Sequence, residues 1–190
     1  MRHTLAALLA VASLTSAAAA QTEPASTAAP AQATPPAQSE IGAAVAKRAK
    51  AFNISVHYHN RHPAAPSIAE PLGATYGASL DQMLAHMDIV SIHCPQTPAT
   101  YHLLSARRLG LMRPEAVIVN TARGEIVDEA ALAAALDAGE ISGAAIDVMA
   151  QEPPGPSSPL FGRDNVIITP HTSFYSEESL VDLQTKAAEE

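Results

Sequence analysis

Ala116-Val117-Ile118-Val119-Asn120-Thr121-Ala122-Arg123-Gly124 is the stretch on which the fold turns. An apolar strand runs straight into a polar turn carrying one arginine, and the carboxyl end of a strand is where open α/β sheets keep their chemistry. Two later segments repeat the arrangement: residues 147–153, with Asp147 and Glu152, and Thr169-Pro170-His171. An arginine, a carboxylate and a histidine, each just past an apolar strand, form a candidate catalytic set.

Working outward, helices and strands alternate. Residues 41–52 put Ile41, Val45, Ala49 and Phe52 on one helical face, which predicts an amphipathic helix. Residues 54–58 read as a strand ended by His59-Asn60-Arg61-His62-Pro63. Ser79 and Gln82 have capping-box spacing and start a helix through Met87. Residues 88–94 form the next strand and residues 105–112 a short helix. Asp128 caps an alanine- and leucine-rich helix closed by Gly139. Residues 144–148 and 166–169 are the last strands, and Ser176 opens a closing helix whose acidic first turn suits the helix dipole. Near-continuous apolar strands separated by helices predict an α/β fold, a doubly wound parallel sheet covered on both faces.

The 190 residues, 47% hydrophobic and 16% charged, suffice for one packed core but not for two full domains. A net charge of −8 with no basic run argues against nucleic acid or an anionic membrane as partner. The lone Cys94 excludes an intramolecular disulfide and a CxxC motif.

Residues 1–20 differ from the rest. Arg2 and His3 precede an apolar run from Leu5 to Leu14, and Ala18-Ala19-Ala20 precede Gln21. This reads as a secretory signal peptide, predicting a periplasmic or secreted product, with an alanine-rich helix as the alternative. Residues 21–40, rich in Ala, Pro, Thr and Gln, read as an extended linker. The composition breaks at Glu40-Ile41, so a fused or misassigned reading frame, giving a cytoplasmic product, stays open as well.

Residues 41–190 resemble the NAD(P)-binding domain of the D-isomer-specific 2-hydroxyacid dehydrogenases. The resemblance rests on Ile41-Gly42, Tyr58-His59-Asn60-Arg61, the run from Asp88 to Pro95, the run from Val119 to Asp128, Ala145-Ile146-Asp147-Val148, Glu152-Pro153 and Thr169-Pro170-His171. Ordered, separately spaced motifs are far more specific than a lone glycine pattern. The front half looks most like the glyoxylate and hydroxypyruvate reductases, and the tail from Thr169 to Glu178 looks like the branch of the C-terminal-binding proteins, dehydrogenase-like corepressors.

The resemblance implies a Rossmann-like sheet, NAD or NADP as cofactor, a small 2-keto or 2-hydroxy acid as substrate, and a homodimer. It makes Arg123, Glu152 and His171 catalytic. It places Ile41, Gly42, Asn60, Arg61, Pro95, Thr100, Thr121 and Asp147 against the cofactor, with Asp147 accepting from the nicotinamide carboxamide. Asn60-Arg61, where NAD-preferring members carry an acid, favours NADP.

The chemistry of the residues agrees. Reduction of a 2-keto acid needs a cation for the carboxylate and ketone, a proton donor for the alkoxide and a fixed hydride source. Arg123 offers a planar, permanently charged fork. His171 offers a proton near neutral pH, and Glu152 would favour its charged form. His57 and His59 share a strand face, so a metal pair is geometrically possible, but that segment is also accounted for as the strand leading to the cofactor-selecting turn.

The chain also departs from the family pattern. Of the glycine fingerprint only Gly42 remains, with Ala37 and Ser39 where the first two glycines belong. Residues 31–38 contain Pro35 and Pro36 and no β-branched aliphatic residue, so the first strand, central in the sheet, is expected to be missing. The segment that forms the family's substrate domain is expected to have no counterpart. Three readings follow: a 2-hydroxyacid oxidoreductase, a non-catalytic dinucleotide- or partner-binding module, and a truncated or fused remnant.

Overall fold

The computed structural model describes residues 6–11 and 40–189. Among these, the strands are β1 (Ala6–Val11), β2 (Ser55–Asn60), β3 (Thr75–Tyr76), β4 (Ile89–Ile92), β5 (Val117–Asn120), β6 (Gly143–Ile146) and β7 (Val166–Ile168). They form one sheet in the order β3-β2-β1-β4-β5-β6-β7. Every pairing is parallel. The helices are α1 (Glu40–Ala51), α2 (Pro66–Leu72), α3 (Leu80–Leu84), α4 (Ala106–Leu109), α5 (Glu129–Asp137) and α6 (Glu177–Glu189). The order 3-2-1-4-5-6, with a seventh strand added, is the doubly wound Rossmann arrangement, whose ligands bind beyond the carboxyl ends of the strands at the topological switch.

The expectation of a missing first strand is corrected. Ala6–Val11 fills the centre of the sheet, pairing from Ala6↔Ser55 to Val11↔Asn60 on one side and from Ala7↔Ile89 to Ala10↔Ile92 on the other. The physical reason lies in the ambiguity of a short apolar run. Bounded by polar or small residues, it reads equally as the apolar core of a leader or as a buried parallel strand, and only long-range pairing separates the two. The linker and the positions of Ala37 and Ser39 lie outside the described residues.

The other elements follow from local chemistry. The Ser79 hydroxyl accepts from the Gln82 amide at 3.3 Å to start α3. Asp128 accepts from the Ala131 amide at 3.0 Å to start α5, and Gly139, at φ 68°, lets the chain leave it. Sequence reading passed over α2 and β3. Pro66 and Pro71 make α2 look like loop, although proline is compatible with a first helical turn, and β3 is only two residues long.

Val90, Ser91 and Ile92 are all buried in succession. Because neighbouring strand side chains point to opposite faces, the sheet is covered on both sides there. The main core joins β4, β5 and β6 to α3, α4 and α5 through Leu84, Leu109, Ile118, Leu132 and Ile141. A smaller cluster of Ala46, Val56 and Tyr58 joins α1 to β2. The carboxyl ends of β4, β5 and β6 are thereby held on a rigid base. No helix among the described residues is long and apolar enough to cross a membrane.

Candidate active site

The turn after β5 is built by Asn120, which is 1% exposed. Its Nδ2 donates to the Arg123 carbonyl at 2.9 Å and its Oδ1 accepts from the Ala122 amide at 3.1 Å. This folds the polar pentapeptide back on itself and leaves the Arg123 side chain exposed. Its Nη1 donates to the Ala122 carbonyl at 2.6 Å, and the rest of the guanidinium makes no hydrogen bond among the described residues.

Glu152 and His171 meet from two different loops. The His171 Nδ1 donates to Glu152 Oε2 at 2.7 Å, while Glu152 Oε1 accepts from the Met149 amide at 2.9 Å. The His171 bond, the Met149 amide and the nearby charges of His171 and Arg123 together hold the Glu152 carboxyl below its ordinary range. His171 Nε2 makes no hydrogen bond among the described residues. The His171 backbone sits at φ 54°, a left-handed conformation for a residue with a side chain. Its amide donates to the carbonyls of Asp147 and Thr169, at 2.8 and 3.0 Å, which holds that conformation in place. Strain of this kind gathers at functional sites.

Asp147, 4% exposed, lies beneath the histidine loop. Its Oδ1 accepts from Thr169 Oγ1 at 2.6 Å and the Thr172 amide at 2.9 Å, and its Oδ2 from the Ser173 amide at 3.0 Å. Burial alone would raise its pKa, but the hydrogen bonds from Thr169, Ser173 and Thr172 outweigh it and bring the carboxyl down to about 2. A depressed carboxyl pKa adds stability that is complete above the ordinary value near pH 4 and is lost as the pH falls through about 2. Asp147→Asn is therefore expected to cost on the order of 2 kcal/mol at pH 7, and the gap between the proteins should close near pH 2. Urea denaturation across that range checks it, and a gap that persists at pH 2 would rule out the carboxylate as its source.

A cavity of about 500 Å³ opens beyond β4 and β5, lined by Ile41, Pro95, Thr121 and Arg123 among others. A second, of about 380 Å³, lies beside it and is lined by Arg123, Glu152 and His171 together with Gln96 and Gly124. The catalytic candidates thus share one cleft. Gly42 lies buried in the first turn of α1. Asn60 is buried at the end of β2, where its carbonyl accepts from the Tyr76 hydroxyl at 3.1 Å, and Arg61 beyond it is exposed. Thr100 is set differently: 6% exposed, its hydroxyl donates to the Pro95 carbonyl at 2.7 Å and accepts from the Thr97 amide at 2.8 Å, so it shapes the Pro95 loop. His59 Nδ1 donates to the Gly77 carbonyl at 2.7 Å, which commits that ring to the β2–β3 corner.

Sequence reasoning assigned no site role to His93, Gln96, Ser173 or Phe174, which also line the larger cavity. They follow apolar strands just as Arg123 does, and that position was the available signal. Burial raises the Cys94 thiol to about 11, so it is not a thiolate nucleophile at neutral pH.

Residues 37–173 match the family described as D-isomer specific 2-hydroxyacid dehydrogenase, NAD binding domain. The chain belongs to that family. A glyoxylate reductase of Aeropyrum pernix is 42% identical over 149 residues, which cover 78% of this chain and 44% of that protein. The D-lactate dehydrogenase of Lactobacillus jensenii, solved with NAD+, superposes with a TM-score of 0.74 at 26% identity, covering 96% of this chain and 50% of the other. The NADPH-dependent glyoxylate/hydroxypyruvate reductase of Sinorhizobium meliloti, solved with NADP and malonate, gives a TM-score of 0.67 at 38% identity, over 73% of this chain and 42% of that one. The chain spans less than half the length of the curated glyoxylate reductases that it matches.

Proposed function

We propose that this chain forms the cofactor-binding and proton-donating part of an NAD(P)-dependent oxidoreductase that reduces a 2-keto acid such as glyoxylate or hydroxypyruvate. The observation that carries the reading is the 2.7 Å Glu152–His171 pair, with a free Nε2, in one cleft with the unspent guanidinium of Arg123. The cavity fits a dinucleotide in its chemistry, since Thr121 offers a hydroxyl and Gln96 an amide, beside the apolar Ile41 and Phe174. The nicotinamide, when bound, supplies the hydride.

The protein does the rest. Arg123 grips the substrate carboxylate and polarises the ketone with a fixed charge. Glu152 fixes the ring of His171 through Nδ1, so that the imidazolium presents its Nε2 proton to the alkoxide oxygen as that oxygen gains charge. His171 is left neutral and takes its next proton from water. Exposed Arg61, past the end of β2, offers a cation to a 2′-phosphate and supports a preference for NADP. The place of Ala6–Val11 within the sheet supports retention of the amino-terminal segment and hence a cytoplasmic protein.

A purified chain is expected to gain thermal stability with NADPH at saturating concentration, by about 2.7 kcal/mol at a hundredfold excess over Kd. It should oxidise NADPH with glyoxylate, and His171→Gln should lower kcat at least about 100-fold while leaving the thermal shift in place. A shift without turnover would show a binding module. Neither cofactor raising the melting temperature would sink the reading.

A further inference from the structure

The loop that presents Glu152 is held from outside the cleft. Its amides at Met149 and Ala150 are each claimed by a carboxylate. Met149 donates to Glu152 Oε1 at 2.9 Å, and Ala150 donates to Glu129 Oε1 at 2.6 Å. Glu129 is the first residue of α5, and the helix start that carries it is itself fixed. Asp128 accepts from the Ala131 amide at 3.0 Å, its own amide donates to the Leu104 carbonyl at 3.1 Å, and His102 Nδ1 lies 3.5 Å from its Oδ2.

We infer that Glu129 is a positioning residue for the Glu152–His171 pair, acting through the Ala150 amide to hold the loop in the shape that aims Glu152 at the histidine. The inference rests on the reading of that pair as the proton donor. Glu129 touches neither Glu152 nor His171 in any hydrogen bond among the described residues. Its effect passes along the chain: α5 is packed into the main core through Leu132 and Leu136 and so supplies a rigid anchor. The 149–152 segment is short, so fixing the Ala150 amide from one side and the Met149 amide from the other leaves it little freedom. The bland alternative is that Glu129 only places negative charge at the start of a helix, where it suits the dipole.

Two substitutions separate these roles. Glu129→Gln removes the charge and keeps an acceptor oxygen, whereas Glu129→Ala removes both. In the full chain, hydrogen exchange at the Ala150 amide should quicken about tenfold or more in Glu129→Ala, as expected for loss of a hydrogen bond to a charged group. The carboxyl of Glu152, followed by carbon NMR as pH is varied, should move up toward its ordinary range in that variant. Glu129→Gln should keep both signals close to those of the unsubstituted protein. If the pair acts as proposed, kcat should fall in Glu129→Ala with little change in KM. Unchanged exchange and an unchanged Glu152 titration in Glu129→Ala would overturn the inference, as would equal disturbance by both variants. Both NMR readouts are independent of turnover, so an inactive chain would count against the functional reading and leave this test standing.

Discussion

A chain started at Gln21 is expected to lose cooperative unfolding altogether. Ala6–Val11 is the only strand joining β2 to β4 among the described residues, and it is paired on both sides. Without it the two halves of the sheet meet across unpaired backbone donors and acceptors. Each buried polar group left unsatisfied costs about 1–3 kcal/mol, while a whole domain is stable by only about 5–15 kcal/mol. A handful of lost ladder bonds therefore exhausts the margin. Circular dichroism of the full chain and of residues 21–190 during heating tests this. A sharp transition at the same temperature in the shortened chain would refute a central role for the strand. The result also bears on the leader reading, because processing after Ala20 would remove this strand: one segment cannot serve both as a cleaved leader and as the middle of the sheet.

The second large effect is expected at Gly124. A Cβ at this position would lie 1.9 Å from the Met149 carbonyl carbon, 2.2 Å from its oxygen and 2.3 Å from the Ala150 nitrogen. These are backbone atoms, so no rotamer change relieves the clash. The Arg123 turn and the Glu152 loop pack backbone to backbone, and only glycine permits that approach. Gly124→Ala should destabilise the protein by roughly 3 kcal/mol or more, at the severe end for a single methyl group. Because the clash falls on the Met149–Ala150 peptide, any turnover should fall further than global stability explains. Chemical denaturation with kinetics below the melting point separates the two, and a variant within about 0.5 kcal/mol of the parent would show that the loops part without cost.

Gly124 shows how far the sequence could be read. It ends the polar turn that follows β5, but nothing near it in the chain says what it must admit, because Met149 and Ala150 arrive after α5 and β6. Glu129 is similar: a glutamate at the start of a helix looks complete as a dipole partner until the Ala150 amide is seen beside it. Asn120, by contrast, was open to local reading, since a buried amide that folds the next three residues into a turn acts within its own neighbourhood. Arg123, Glu152 and His171 were recognisable as residue types past strand ends. Their meeting was implied only by the family resemblance, because Glu152 and His171 are separated by β7, and the bond between them depends on the order of strands in the sheet. Thr100, grouped with the cofactor contacts, also ties down the Pro95 loop, a role that appears only when the partner of its hydroxyl is known.

The sequence by itself determined the class of fold, most of the helices and strands, the caps at Ser79 and Asp128, and the three side chains proposed to carry the chemistry. These depend on periodicity and on contacts within a few residues, which are local properties. Only the tertiary structure decided that Ala6–Val11 closes the sheet, that Glu152 fixes His171, and that two loops touch through Gly124. Each of these is an interaction between segments far apart in the chain, and a short apolar run, a carboxylate or a glycine has no preference of its own until the packed sheet gives it one partner.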